Sequence, residues 1–219
     1  MKSGEFRDRL SDLALSAGVA LTATHVDQLQ AYYELLCRWN RKINLTALPL
    51  EPLADATLDR LLVEPTAAAR YVPESRVEWL DVGSGGGSPA IPLRIARPLT
   101  ELSLIEARAK KAAFLRESVR ELAWTNVSVV NDRFEDFVGR EDSVRSASLV
   151  TLRAVKVSQT ICSAVQIVLK PYGQLLLFGA QNVDLPASFR EVERVRLLPS
   201  AASSTLLVIR RSTWNTKNR

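Results

Sequence analysis

The sequence predicts an α/β fold: a mostly parallel seven-stranded sheet with helices on both faces, preceded by a helical N-terminal region. Three observations predict it. Over the first seventy or so residues, apolar side chains recur at three- and four-residue spacing, the signature of helices. After Tyr71-Val72-Pro73-Glu74-Ser75 the pattern changes to short apolar runs alternating with helical stretches, which implies parallel strands joined by crossover helices. Between the first such run and the next helix lie Gly83, Gly85 and Gly87, at the carboxyl edge of the sheet where doubly wound folds bind ligands.

Each element follows in order. Phe6, Leu10, Leu13 and Ala17 mark a first helix, stopped by Gly18. Thr24-His25-Val26-Asp27 has the form of a capping box and opens a second, carried by Val26, Leu29, Tyr33, Leu36 and Asn40. A third helical stretch runs from about Pro52 to Arg70. These make a helical region over residues 1–75, followed by a sheet domain over 76–211 and a basic tail over 212–219. Strands are expected at 77–82, 102–105, 127–130, 149–152 and 174–178, with a closing hairpin from 192–198 and 205–211. Helices are expected from Pro89, over 110–122 and over 157–169. Lys170-Pro171-Tyr172-Gly173 reads as a turn, and the segment after Val130 as a short polar connection.

Composition narrows the class. The chain is 47% hydrophobic and 24% charged, as in a globular protein. No window holds eighteen consecutive apolar residues, and the N-terminus lacks the apolar stretch of a secretory signal, so a cytoplasmic protein without a membrane span is expected. Cys37 and Cys162 cannot build a disulfide framework, and both sit in apolar helical settings that suit structural thiols. With His25 as the single histidine, no metal site is expected. Residues 150–219 carry 10 basic and 3 acidic side chains, whereas residues 1–149 carry 19 basic and 21 acidic. A clustered positive surface favours a polyanionic partner such as RNA; the alternative is a solvated basic face.

The most informative stretch is Asp81-Val82-Gly83-Ser84-Gly85-Gly86-Gly87-Ser88. A dinucleotide fingerprint would need glycine at position 88, where Ser88 stands, and a P-loop would need a lysine that is missing. An acid two residues ahead of alternating glycines resembles the first motif of the class I S-adenosylmethionine-dependent methyltransferases, a Rossmann-like fold. Glu106, ending the second strand, can take both ribose hydroxyls of an adenosine. Asp81 would face the cationic methionine end. Either acid could instead cap a helix or face water.

Further stretches resemble one family. Trp39-Asn40 with Asn44-Leu45-Thr46, the glycine loop continuing into Pro89-Ala90-Ile91-Pro92-Leu93, Lys110-Lys111 with Phe114-Leu115-Arg116, Asp132-Arg133-Phe134-Glu135 and Arg153-Ala154 are similar in order and spacing to the glucose-inhibited division protein B family. Members methylate guanine N7 in bacterial small-subunit ribosomal RNA. The resemblance implies S-adenosylmethionine as cofactor, held by Asp81, Gly83, Gly85, Gly87, Ser88, Glu106, Phe134, Glu135 and Arg153. It implies ribosomal RNA or the small subunit as partner. Arg153, Arg133 and Lys110 are the candidate catalytic or substrate contacts, with Lys156 a further RNA contact, and a monomer is expected. Alternatives are another RNA site, a small-molecule substrate, or a cofactor-binding protein without transfer activity.

Two stretches depart from the family. Where it typically has Arg-His-x-x-Asp-Ser, this chain has Asp55-Ala56-Thr57-Leu58-Asp59-Arg60. Where a strand-end lysine is common, it has Phe178 before Gly179. Arg60, one turn after Ala56, could restore a positive charge. Phe178 could stack on an extruded base or extend Leu175-Leu176-Leu177 into the core.

Overall fold

A computed structural model describes residues 3–153, 158–179, 183–201 and 203–212. Two long helices come first, α1 (Ser3–Ser16) and α2 (Ala23–Asn40). A third helical passage is composite: α3 (Asp55–Leu58), a π-helical turn (Asp59–Val63), α4 (Glu64–Ala67) and a 3-10 turn (Ala68–Tyr71). Then strands and helices alternate: β1 (Glu78–Val82), α5 (Ala90–Ala96), β2 (Glu101–Ile105), α6 (Ala109–Glu121), β3 (Val127–Val130), α7 (Phe134–Val138), β4 (Ala147–Arg153), α8 (Gln159–Val168), β5 (Leu169–Phe178), β6 (Phe189–Arg196) and β7 (Thr205–Arg211). Among the described residues no helix is long and apolar enough to cross a membrane, and no group of three or more His, Cys, Asp or Glu could hold a metal ion.

The strands form one seven-stranded sheet in the order β3-β2-β1-β4-β5-β7-β6, with β7 antiparallel to both neighbours and the first five strands parallel. Side chains alternate across it, so the two faces build separate cores. Trp79, Leu102, Leu104, Leu176 and Phe178 face the N-terminal helices and pack with Phe6, Leu10, Leu29, Leu36, Leu58 and Leu62. Leu80, Val82, Leu152, Leu175 and Leu177 face the other way, onto Ile161, Val165 and Phe134 of α8 and α7. The helical region and the sheet therefore share a hydrophobic core.

Four expectations change. The cap of α2 is Thr22, whose hydroxyl accepts from the His25 amide at 3.2 Å while the Thr22 amide donates to His25 Nδ1 at 3.4 Å. The box is thus closed by an imidazole three residues on, not by Asp27. Lys170–Gly173 is no separate turn but the bulged start of β5, where pairing with β4 shifts register and Tyr172 adopts φ +61°. The polar connection after β3 contains α7, which the buried Phe134 anchors. The hairpin is displaced towards Phe189, with Val192 and Arg194 exposed on the outer strand.

Candidate functional site

The carboxyl ends of β1, β2 and β4 meet loops from the N-terminal helices around a cavity of about 460 Å³. Gly83, Ser84, Gly85, Gly86 and Ser88 form one wall, with Glu106, Arg108 and Lys111 beyond them; Arg60, Leu61 and Arg153 form another; Leu36, Leu45, Thr46 and Leu48 come from α2 and the segment after it.

Local chemistry shapes the glycine wall. Gly83, Gly85 and Gly87 all have positive φ. A Cβ on Gly87 would lie 2.5 Å from Ile91 Cδ1 and 3.3 Å from Tyr32, so glycine is required there for packing as well as conformation. A Cβ on Gly85 would meet only the Gly83 carbonyl oxygen, at 3.6 Å, leaving the loop open for a ligand to approach. Tyr32 fixes the loop from below by donating its hydroxyl to the Gly86 carbonyl.

The two predicted acids differ. Glu106 accepts from the Gly85 amide with Oε2 and from the Arg108 amide with Oε1, both at 2.8 Å, so it ties the glycine loop to the approach to α6 while lining the cavity. Asp81 is buried on β1. Its Oδ1 accepts from the Thr151 hydroxyl, which itself accepts from the Trp79 indole at 2.8 Å, and among the described residues the Asp81 Oδ2 has no hydrogen-bond partner. Burial pushes the Asp81 carboxyl up to about 6, against the opposing pull of Thr151, Ser84 and Arg153.

Arg153 lies deeper than a surface contact would. Its Nη1 donates to the Arg60 carbonyl at 2.8 Å and to Ser88 Oγ at 2.9 Å, and its Nη2 pairs with Glu64. The guanidinium carbon sits 4.6 Å from the centre of the Phe178 ring. Glu64 is fully buried and also takes Arg60 Nη1 on both oxygens, at 2.8 and 2.7 Å. Burial lowers the Arg153 guanidinium to about 10, opposed by Glu64 and reinforced by Arg60.

Phe178 is therefore a core residue carrying Arg153 on its ring, not a free platform for a base; strand alternation puts it with Leu176 on the face packed by the N-terminal helices. Asp55, at the altered helix, is bound to Arg9 of α1 through Nε at 2.9 Å, and Ala56 is exposed. Arg60 lines the cavity from the π-helical turn, whereas Ala56, one turn earlier, does not.

The structure brings Gly83, Gly85, Ser88, Glu106 and Arg153 to one cavity, with Asp81 and Gly87 supporting it from beneath. It does not bring Lys110, Arg133, Phe134 or Glu135 to the cavity lining. Lys110 is exposed and its neighbour Lys111 lines the cavity instead; Phe134 is buried in the second core; Arg133 and Glu135 are exposed at α7 and 3.9 Å apart. Lys156 lies outside the described residues. Among the described residues, part of the basic surplus of the last third is engaged elsewhere than at this cavity. Arg211 is buried, the Arg153 side chain is only 9% exposed, Lys170 pairs with Glu78 at 3.0 Å and Arg194 with Glu191 at 2.9 Å, while Arg190, Arg196 and Arg210 are exposed.

Sequence reasoning gave no role to Tyr32, Glu64, Thr151 or Arg108, or to the cavity side of Leu45 and Thr46. A signal for the last pair was present. Asn40 Oδ1 accepts from the Leu45 and Thr46 amides at 2.9 and 3.0 Å, so the Asn at the end of α2 fixes the Leu-Thr pair five and six residues on at the cavity.

Comparison with known proteins adds the following. The family model described as rRNA small subunit methyltransferase G (GidB) matches residues 25–191. The chain is 38% identical over 130 residues to ribosomal RNA small subunit methyltransferase G of Pseudomonas putida (strain GB-1), and 42% identical over 132 residues to that of Pseudomonas aeruginosa (strain LESB58). Each match spans 59% of this chain and 59% of the relative. An S-adenosylmethionine-dependent methyltransferase from Aquifex aeolicus superposes with a TM-score of 0.55 at 14% identity, covering 72% of this chain and 93% of that one, which shows a shared fold.

Proposed function

This chain belongs to the rRNA small subunit methyltransferase G family, and we propose that it transfers a methyl group from S-adenosylmethionine to N7 of a guanine in small-subunit (16S) ribosomal RNA. The observation that carries the reading is the cavity at the ends of β1, β2 and β4, walled by an open glycine loop, with the buried Asp81 below it and Glu106 at its side.

The residues present suit the cofactor. The glycine wall leaves backbone exposed for close approach, the unpartnered Asp81 Oδ2 suits an ammonium group, and Glu106 Oε1 and Oε2 each retain a lone pair for a ribose hydroxyl. When bound, S-adenosylmethionine supplies an electrophilic methyl carbon on a sulfonium. Guanine N7 carries an exposed lone pair in the plane of the ring, so no side chain has to remove a proton. The absence of a histidine from the cavity lining is consistent with that.

What remains for this chain is to bind, orient and exclude water. Arg153, held on four sides by Glu64, Ser88, the Arg60 carbonyl and Phe178, is a rigid positioning residue that fixes the end of β4 against the glycine loop. Arg108 and Lys111, at the cavity lining, are suited to RNA phosphates. Cytoplasmic action on the small subunit or its RNA follows from the substrate.

The test is transfer of labelled methyl from S-adenosylmethionine to small subunits lacking the modification, with the modified base located by mass spectrometry. Label in 7-methylguanine supports the reading. Label elsewhere, or none with subunits and naked RNA alike, sinks it.

A further inference from the structure

We infer that Arg60 is the side chain that orients the acceptor base, through hydrogen bonds from its Nε and Nη2 edge to the oxygen at C6 of guanine; the inference rests on the guanine-N7 reading above.

Arg60 stands in the π-helical turn Asp59–Val63, an irregularity that often marks functional sites. Its side chain is 33% exposed and lines the cavity. Of its nitrogens only Nη1 bonds the buried Glu64, at 2.8 and 2.7 Å, beside Arg153 Nη2 on the same carboxylate. Among the described residues Nε and Nη2 make no hydrogen bond, so the flat edge best able to grip two lone pairs is left over.

Its location points to the acceptor rather than the cofactor. Nη2 lies 3.1 Å from where a Cβ on Gly179 would stand, just past the end of β5. Glu106 immediately follows β2, and the sheet order β2-β1-β4-β5 puts these two groups on opposite flanks of the cavity. A ribose taken by Glu106 and a methionine chain over the glycine loop leave the β5 flank for the substrate. Gly179, at φ +74°, presents no side chain there, which is what gives the guanidinium its seat.

Charge agrees. One carboxylate, Glu64, faces two guanidiniums, Arg60 and Arg153, so this wall carries a surplus positive charge. Such a wall repels a sulfonium and attracts the electron-rich edge of guanine. N7 must stay free to react, so the C6 oxygen is the acceptor, and binding it distinguishes guanine from adenine, whose exocyclic amine is a donor.

The experiment compares wild type, Arg60→Ala and Arg60→Lys for methyl transfer to small subunits whose target position carries guanine or 2-aminopurine, which lacks the C6 oxygen. Cofactor affinity is measured alongside by calorimetry. On guanine, Arg60→Ala is expected to lower kcat/KM by on the order of tenfold to a hundredfold, with cofactor affinity within about twofold of wild type. Arg60→Lys, which can keep the ion pair with Glu64 but lacks the fork, should fall between. Wild type should lose a similar factor on 2-aminopurine, and Arg60→Ala should lose almost nothing more. Guanine kcat/KM unchanged in Arg60→Ala, or independent losses from the two changes, would overturn the inference while the function stands. Equal losses of cofactor affinity and turnover would assign Arg60 a structural role and overturn it too. A wild type that transfers no methyl to guanine overturns the function, and this inference with it.

Discussion

Tyr32 of α2 donates its hydroxyl to the carbonyl oxygen of Gly86, so a helix from the first third of the chain holds down the glycine loop of the sheet domain. Tyr32→Phe keeps the ring against Gly87 but leaves that carbonyl without its partner. A loss of about 1–2 kcal/mol of stability is expected in denaturant unfolding, with weaker S-adenosylmethionine binding because the loop is no longer fixed. An unchanged unfolding midpoint and affinity would show that the loop holds its shape alone.

Asp81 gives the protein a pH signature. Its carboxyl is raised to about 6 in the fold by burial, against about 3.9 when unfolded. Between these values the native state keeps a proton that the unfolded chain has lost, so stability falls as pH rises through this window. The total is on the order of 3 kcal/mol. Asp81→Asn should flatten that dependence and be no less stable at pH 7. If Oδ2 takes the cofactor's ammonium, wild-type affinity should weaken as pH drops below about 6, while the Asn variant binds weakly throughout. Calorimetry from pH 5 to 8 checks both.

Glu64 is the hub of the cationic wall. Glu64→Ala would bury the Arg153 guanidinium without its carboxylate, at about 3–5 kcal/mol, measurable as a lower melting temperature. Combining it with Arg153→Met should restore a large part of that loss, because the uncompensated charge goes too. Strictly additive losses would mean the two side chains are not coupled.

Cofactor affinity should respond to the loop and to Glu106 separately. Gly85→Val puts a branched side chain into the open face of the wall at φ +53° and should abolish binding. Glu106→Ala removes the acceptor of the Gly85 and Arg108 amides as well as the expected ribose contact. It should cost about 1–3 kcal/mol of binding free energy. Wild-type affinity in either variant would contradict the assignment.

RNA affinity should fall steeply with salt. Arg108→Gln and Lys111→Gln, at the cavity, should each reduce the slope of log K against log salt by about one. Arg194→Gln, already engaged with Glu191 on the outer strand, should change it little. Filter binding over a salt series separates the two sets.

Where spacing alone dictates structure, the sequence was legible. The alternation of Leu175, Leu176, Leu177 and Phe178 specifies two buried faces, and Asp81 with its glycines needs only the strand–loop–helix order to be recognised. The less legible features depend on contacts between distant segments. Glu64 reads as one more charge on a helix until Arg153, 89 residues on, arrives beside it. Tyr32 reads as core, and its hydroxyl acquires a task only when Gly86 is folded against it. Lys110 and Lys111 are adjacent in sequence, and a helix separates neighbours by about 100° of rotation; which one turns to the cavity is decided by how Phe114 and Leu115 seat α6. A sum of charges does not say which side chains reach the surface: Arg211 is buried and Arg153 is nearly so, whereas Arg190, Arg196 and Arg210 are exposed.

The core that Phe6, Leu36 and Leu62 share with Trp79, Leu104 and Leu176 bears on how this architecture can be recombined. The helical region is no interchangeable cap. A chimera joined at the Tyr71–Ser75 segment would set one parent's helices on another parent's sheet face, with side-chain volumes mismatched across the seam and the Tyr32 tether aimed at a foreign loop. Substrate preference therefore cannot be swapped by exchanging the first third alone; the facing residues of β1, β2 and β5 must travel with it.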